Sequence, residues 1–558
     1  MELRIEHLGT ALNGFLTWVR NPRLWPWLAG AALSVAFGAL LFGAYLQSHV
    51  LLSSDVGWLI RSVRLMADGE RFGSDLFELN LPVAWFLCLP AAFLVSHLQL
   101  DEVTAIRCWI WMLTAVALLA TWACMLATSA PRRRWQLEFV SAAIVACVLA
   151  ASSFGQREHI ALVLSLPYMF LAHIRLTGAQ VRPAVAVAGG IISGAAFSIK
   201  PLFVLIPVVI ELASLASRRR EWRLFRPETI AMPAVGICCV AAILLWTPDY
   251  VSQVIPVAFA TYWAYDLPFP RLLSTFPVTY LAPIAWLAAL AADSRLSRDF
   301  VVWLSGFCAW TIVYVVQARG FDYHGYPAVA CAIVLGIGLI ASFAVRLSGL
   351  LAAAPATPLN RRNVWKLAGS LALLAWATTP LITDARYWFR SATEEGWVFS
   401  RSQAREDVIE MVRSLGIGPG NTVLAFSTHP FPAFPTVNYL GAEWVGPDMA
   451  YFSLPAWIRR HEIDDPERRM AVDEAMAVQR RHVRRALLED KPDYLLVNMN
   501  FSRSIGSQGL AVHRLNYFEI FGSDPEVAEA LAQYRKLASR WQIHVYVREG
   551  VVDRASAD

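Results

Sequence analysis

Residues Ser53 to Pro82 read S-S-D-V-G-W-L-I-R-S-V-R-L-M-A-D-G-E-R-F-G-S-D-L-F-E-L-N-L-P, and the reading of the whole chain turns on them. The stretch carries Asp55, Asp68, Glu70, Asp75 and Glu78 together with Arg61, Arg64 and Arg71. It lies between two strongly apolar segments. Charges this dense are costly inside a bilayer, so the stretch belongs at a membrane surface. Its first part, 55–70, is amphipathic and reads as an interfacial helix.

Composition agrees. The chain has 558 residues, 57% hydrophobic and 16% charged, with a mean hydropathy of +0.46. Soluble domains carry about 25% charged residues. Apolar runs near 20 residues recur along the chain, as membrane-spanning helices require. They lack the period-two alternation of a closed barrel. The fold class expected is therefore a polytopic α-helical membrane protein. The first run follows Arg20 and Arg23 and has no small-residue cleavage site, so it reads as a retained anchor.

The net charge of +5 gives no ground for nucleic-acid binding. The basic residues cluster between apolar runs, which is a topology signal. Placing Arg4, Arg20, Arg23, Arg132–Arg134, Arg175, Arg182, Arg218–Arg220, Arg223, Arg226, Arg295, Arg298, Arg346, Arg361, Arg362 and Lys366 on the cytoplasmic side puts nineteen cations there. Eight remain for the other loops: Arg61, Arg64, Arg71, Arg107, Arg157, Lys200, Arg271 and Arg319. Eleven spans follow, at 26–48, 105–128, 136–153, 160–175, 184–199, 202–216, 229–247, 275–292, 300–317, 325–345 and 367–383. The N-terminus is then inside and the C-terminus outside. Residues 82–98, apolar but short and interrupted by Pro90, fit as a re-entrant or interfacial helix. Whether they span is left open.

Residues 1–383 thus form the membrane domain, with an outer loop over 49–104, and 384–558 form a second domain. In the latter, a helix is expected over Arg405–Leu415 and a strand over Thr422–Ser427. A helix over 466–489, a strand over Asp493–Met499, a helix over 524–539 and a strand over Trp541–Val547 complete a small α/β layer. The eight cysteines lie within or beside apolar segments without ligand spacing. They read as small packing residues. No metal-ligand set is evident, and a divalent cation is left open as a cofactor.

Under this topology, polar residues from distant loops share one face. Asp55, Asp75, Glu78 and Asn80 come from the first loop, and Arg157, Glu158 and His159 from G-Q-R-E-H. Lys200, the first lysine of the chain, stands before Pro201. Arg319, Tyr323 and His324 come from Q-A-R-G-F-D-Y-H-G-Y-P. Such convergence describes an active-site cavity. A carboxylate at 55 suits a general base, and it equally suits a helix N-cap. Glu158 suits support of an acceptor or of Asp55, and Arg157 and His159 suit an anion. A compact ammonium at position 200 suits a phosphate. Tyr262, Trp263 and Tyr265 read as an interfacial aromatic belt or a sugar-stacking platform.

The order of these features resembles the GT-C superfamily of membrane glycosyltransferases, in the branch of the protein O-mannosyltransferases and the lipid A aminoarabinose transferase. Those proteins carry an acidic residue after the first span, here Asp55. A Pro-containing apolar helix follows, here led in by D-L-F-E-L-N-L-P. Their second acidic site often reads Arg-x-Asp, whereas this chain has Arg157-Glu158. The F-S-I-K-P and Y-H-G-Y-P segments match loosely. The resemblance covers about residues 25–345 and implies an inverting transferase that takes a sugar from a polyprenyl-phosphate carrier. It implies a glycan, lipid or protein acceptor and a catalytic face on the periplasmic side of a bacterial inner membrane. Asp55 would be the base, and Lys200, Arg157, Arg319 and His324 would bind the phosphate. The alternatives are a transporter or flippase with an outer accessory domain, or an assembly partner that does no chemistry. Transporters place polar groups mid-bilayer within inverted repeats, and no repeat is evident here.

Overall fold

In the computed structural model, the residues described are 25–128, 133–217, 220–275, 294–353, 403–499 and 516–551, with isolated positions between 365 and 372. The membrane part is helical. Its elements are α1 (Trp25–Ser48), α2 (Ser54–Ala67), α3 (Val83–Leu98), α4 (Glu102–Leu126), α5 (Arg133–Cys147) and α6 (Arg157–Leu176). They continue with α7 (Pro183–Ser198), α8 (Leu205–Ser217), α9 (Pro227–Trp246), α10 (Ile255–Thr261), α11 (Phe269–Thr275), α12 (Ser294–Gln317) and α13 (Asp322–Ala353).

Six of these helices, α1, α4, α6, α9, α12 and α13, are long and apolar enough to cross a membrane. Shorter apolar helices lie at α3, α5, α7 and Pro201–Ser217. The expected spans 275–292 and 367–383 fall almost wholly outside the described residues, as does the boundary drawn between 383 and 384. The span drawn at 136–153 is shorter than expected: α5 stops at Cys147, and a separate 3-10 turn covers Ala151–Ser153.

The helices sort by what they face. On α9, Ile237, Val240, Leu244 and Leu245 are exposed, and α1 exposes Phe37, Leu41 and Phe42. In water such faces would be a liability, whereas in lipid they are the solvated surface. Helix α6 is the opposite case: every residue but Arg175 is buried. Helix α7 (P-A-V-A-V-A-G-G-I-I-S-G-A-A-F-S) packs closely against both because its contact positions are small. A methyl group at Gly190 would come within 2.7 Å of the Glu228 carbonyl, and one at Gly189 within 2.8 Å of Leu171. Small residues of this kind let membrane helices approach.

The C-terminal domain has helices α14 (Gln403–Ser414), α15 (Thr436–Leu440), α16 (Ser453–Ile458), α17 (Pro466–Arg485), α18 (Tyr517–Phe521) and α19 (Pro525–Ala532). Its strands are β1 (Thr422–Phe426), β2 (Glu443–Trp444), β3 (Tyr494–Asn498), β4 (Tyr534–Arg540) and β5 (Ile543–Arg548). They form one sheet in the order β2-β1-β3-β5-β4, with β2, β1 and β3 parallel. The last two strands pair antiparallel.

One expectation needs correction. Helix 524–539 ends at Ala532, and the rest of it is strand β4. A two-residue hairpin at Trp541 and Gln542, both at positive φ (51° and 62°), folds β4 back onto β5. Such turns usually announce themselves with Asn-Gly or Asp-Gly, and here neither residue is glycine. Ladder pairing therefore overrides the helix propensity of Arg, Lys, Leu and Ala in β4. Helix 466–489 closes at Arg485 and continues as a wider turn over Ala486–Asp490.

Candidate active site

The domain and the first loop are built into each other. Leu52 N–H donates to Tyr439 Oη at 3.0 Å, and Arg61 donates to the Ala442 carbonyl at 2.8 Å. Asn438 Nδ2 donates to Glu102 at 2.6 Å and to the Gly57 carbonyl at 3.0 Å. Glu102 also holds Arg61 at 3.1 Å. Phe77 N–H bonds the Pro447 carbonyl at 2.9 Å. Gly73, at φ 110°, allows the loop to pass against Tyr250, where a Cβ would sit 2.3 Å from the backbone nitrogen. The C-terminal domain therefore lies on the same face as loop 49–104 and segment 248–266.

Asp55 sits in the first turn of α2, after Ser53 at the N-cap. Ser53 makes no capping bond; instead its hydroxyl accepts Gln156 Nε2, which also donates to Asp55 Oδ2 at 3.1 Å. The second Asp55 oxygen has no partner among the described residues. Asp55, Glu78, Asn80 and Arg157 line one small cavity, with Met449 of the C-terminal domain at its edge.

Glu78 is buried and fixed. It accepts Trp58 Nε1 at 2.8 Å and both nitrogens of Asn80. Burial raises its carboxyl above the ordinary range, against the pull of Arg157. Arg157 itself lies over the Trp85 ring, with its guanidinium 6.0 Å from the centroid. It makes no hydrogen bond or close ion pair among the described residues.

Asn80 also lines a larger cleft of about 640 Å³. Its apolar lining includes Leu79, Leu81, Leu202, Ile255, Phe259 and Val316. Its polar lining includes Lys200, Gln317, Arg319, His324 and Tyr262. Lys200 donates to Glu158 Oε1 at 2.5 Å and to Gln317 Oε1 at 2.9 Å. Burial pushes its ammonium down to about 8, against the pull of Glu158. His324 Nε2 lies 3.4 Å from the same Glu158 oxygen. Arg319 pairs with Asp266, donates to the Tyr262 carbonyl at 2.6 Å and lies 4.2 Å above the Tyr262 ring.

The residues singled out from sequence fall into three groups. Asp55, Glu78, Asn80, Arg157, Lys200, Arg319 and His324 line the two joined cavities. Glu158 stands behind them, and Tyr323, beside His324, lies within electrostatic reach of Asp55, Glu158 and Arg157. Glu158 is fully buried and holds Lys200 and His324, while Tyr323 stacks on Phe321 at 5.5 Å and meets His324 edge-on at 4.5 Å. His159 and Asp75 point elsewhere. The His159 ring lies 2.9 Å from the Ala146 carbonyl and accepts the Gly155 N–H, so both nitrogens serve backbone groups. Asp75 caps its own turn through Arg71 N–H and faces Arg485. Gln156 and Gln317 were not foreseen as contacts. Both stand in the quoted loops, but neutral amides give no charge signal.

Among the described residues, no three His, Cys, Asp or Glu side chains stand close enough to hold a metal ion.

No known family model matches this chain, and no curated protein matches it in sequence. Two solved structures resemble it over nearly its full length. One is the crystal structure of ArnT from Cupriavidus metallidurans in the apo state: 13% identity, 96% of this chain and 98% of that one covered, TM-score 0.40. The other is the cryo-EM structure of the arabinofuranosyltransferase AftD from Mycobacteria, at 14% identity and TM-score 0.39. It covers 95% of this chain and 40% of that one.

Proposed function

We propose that this protein is a membrane glycosyltransferase that takes a sugar from a polyprenyl-phosphate carrier and transfers it, with inversion, to a hydroxyl of a cell-envelope acceptor. The observation that carries this reading is the make-up of the large cleft. Its apolar lining residues suit an isoprenoid chain, and Lys200, Arg319 and His324 in the same cleft suit a lipid-linked phosphate. Arg157, which makes no hydrogen bond among the described residues, lines the smaller cavity with Asp55 and lies within electrostatic reach of Lys200 and His324. Preorganised cations of this kind stabilise the charge that develops on a departing phosphate.

In the step proposed, the acceptor oxygen bonds to the anomeric carbon as the carbon–oxygen bond to the phosphate breaks. Asp55 takes the hydroxyl proton, and Gln156 holds the carboxylate in place. Glu158 touches no reacting group and acts as a positioning residue, fixing Lys200 and His324. The reading places this face on the periplasmic side of a bacterial inner membrane, as the distribution of cations favours.

The test is transfer of radiolabelled sugar from polyprenyl-phosphate-linked donors in membranes that hold equal amounts of wild type or Asp55→Asn. Transfer by the wild type alone supports the reading. Equal transfer by both removes Asp55 as base, and none by either across several donors removes the enzyme class.

A further inference from the structure

The C-terminal domain brings two polar side chains to Asp55 that the proposed chemistry leaves unused. His429 lies in the segment after β1, and Arg405 in the first turn of α14. The segment is held against the start of α2: Phe434 meets Trp58 with ring centroids 5.3 Å apart. A methyl on Gly57 would come within 2.6 Å of Asn438 Oδ1. Asp55 lies within electrostatic reach of both His429 and Arg405.

Neither side chain is used up by the fold. Arg405 lies over the Phe431 ring at 5.6 Å and makes no hydrogen bond or ion pair among the described residues. On His429, Nδ1 accepts the Phe431 N–H at 3.2 Å. In the neutral ring the proton therefore sits on Nε2, and Nε2 has no partner among the described residues. Burial and Arg405 push this imidazole down to about 4, so it is neutral at physiological pH. The result is a guanidinium and an N–H donor, both half-buried and both without a hydrogen-bond partner among the described residues on those atoms, within electrostatic reach of a carboxylate with one free oxygen.

We infer that Arg405 and His429 form the acceptor half of the site, holding an anionic group of the acceptor while its hydroxyl faces Asp55. This rests on the reading of Asp55 as the base. A guanidinium and a neutral N–H donor together suit a phosphate or a carboxylate. They also explain why the domain is fastened to loop 49–104: a displaced domain would take the acceptor contacts with it.

The experiment uses full-length protein in membranes, a polyprenyl-phosphate-linked radiolabelled sugar and an envelope extract as acceptor. Arg405→Gln should raise the KM for extract by ~10–100-fold, the size of one charge-assisted hydrogen bond. The KM for donor should stay unchanged, because Arg405 is outside the donor cleft. Arg405→Lys should recover part of the loss, and His429→Gln should show a smaller loss of the same kind. A second arm needs no variant. Extract that has been dephosphorylated, or amidated at its carboxylates, is offered to the wild type. Loss of transfer in the first case identifies a phosphate, and in the second a carboxylate. Unchanged transfer with both extracts, or an Arg405→Gln protein with wild-type KM for extract, overturns the inference and leaves the Asp55 reading standing. A fully active Asp55→Asn, or no wild-type transfer, removes that reading and this one with it.

Discussion

Helix α6 carries a charged cluster at each end, and the two clusters are built differently. At its C-terminal end, His173 lies 2.9 Å from Glu138, which also accepts Trp303 Nε1 at 3.0 Å. Arg175 grips Glu228 with two nitrogens, at 3.0 and 3.2 Å. Arg226 joins Glu228 to Glu211, and Glu211 also accepts Tyr168 and Trp222. Nearly every charge there has an opposite neighbour. At the N-terminal end, Arg157 has Glu158, Glu78 and Asp55 within electrostatic reach but makes no hydrogen bond or close ion pair among the described residues, and one Asp55 oxygen accepts no hydrogen bond there. Buried polar groups are normally satisfied. Among the described residues, Glu158 Oε2, Gln317 Nε2 and His324 Nδ1 are buried without a hydrogen-bond partner at the N-terminal end, and His173 Nδ1 and Arg226 Nε at the other, so the ends differ in how their charges are paired and not in every atom. The C-terminal end ties helices together through paired charges, and the N-terminal end is where the proposed function puts the substrate.

The sharpest way to break this comparison is to remove one charge from each end. Asp55→Asn should lower transfer by ~10²–10⁴-fold, the range for loss of a general base, with no change in thermal stability in detergent. Glu228→Gln should do the reverse. It leaves Arg175 and Arg226 facing a neutral amide, which costs about 3–5 kcal/mol when a buried pair is broken. Melting should fall sharply, while the folded remainder keeps its donor KM.

Arg157→Gln should raise donor KM by ~10–100-fold with a smaller loss of melting temperature than Glu228→Gln, because it breaks no hydrogen bond and removes only the longer-range attraction to Glu78 and Glu158. A loss of stability in Arg157→Gln as large as that in Glu228→Gln, or an altered donor KM in Glu228→Gln, would erase the distinction between the ends.

Lys200 sharpens it further, because it is paired yet faces the cleft. With its ammonium near 8 in the fold against 10.5 in the unfolded chain, donor KM should rise as pH passes about 8. Stability should instead increase between about 8 and 10.5, because the fold holds the neutral amine more readily. Lys200→Arg should abolish the alkaline rise in donor KM. The smallest effect is expected at the seam. Asn438→Ala removes bonds to Glu102 and Gly57 and should cost about 1–3 kcal/mol, read as easier proteolytic release of the C-terminal domain.

The membrane helices were legible because their apolar runs are long: α1, α4, α9 and α13 stand close to where hydropathy places them. Asp55, Arg157 and Lys200 were legible because a charge between apolar runs needs a reason to be there. The orientation of His159 was not. Its neighbour Arg157 lines the site and Glu158 backs it, but a helix turns 100° per residue, and the third residue of R-E-H meets Ala146 instead. Strand β4 was missed because its hairpin lacks the usual turn residues. Arg405 and His429 were invisible as site residues, since only the tertiary seat on α2 brings them to Asp55.

That seat has a consequence for how the protein comes into being. Leu52 waits for a partner 387 residues later in the chain, and Arg61 for one 381 residues later. The loop bearing Asp55 is therefore synthesised well before the surface that packs against it. A chain interrupted between α13 and β1 would hold the described membrane helices yet lack the groups that Leu52 and Arg61 bond, so the loop waits on the sheet for its final seat.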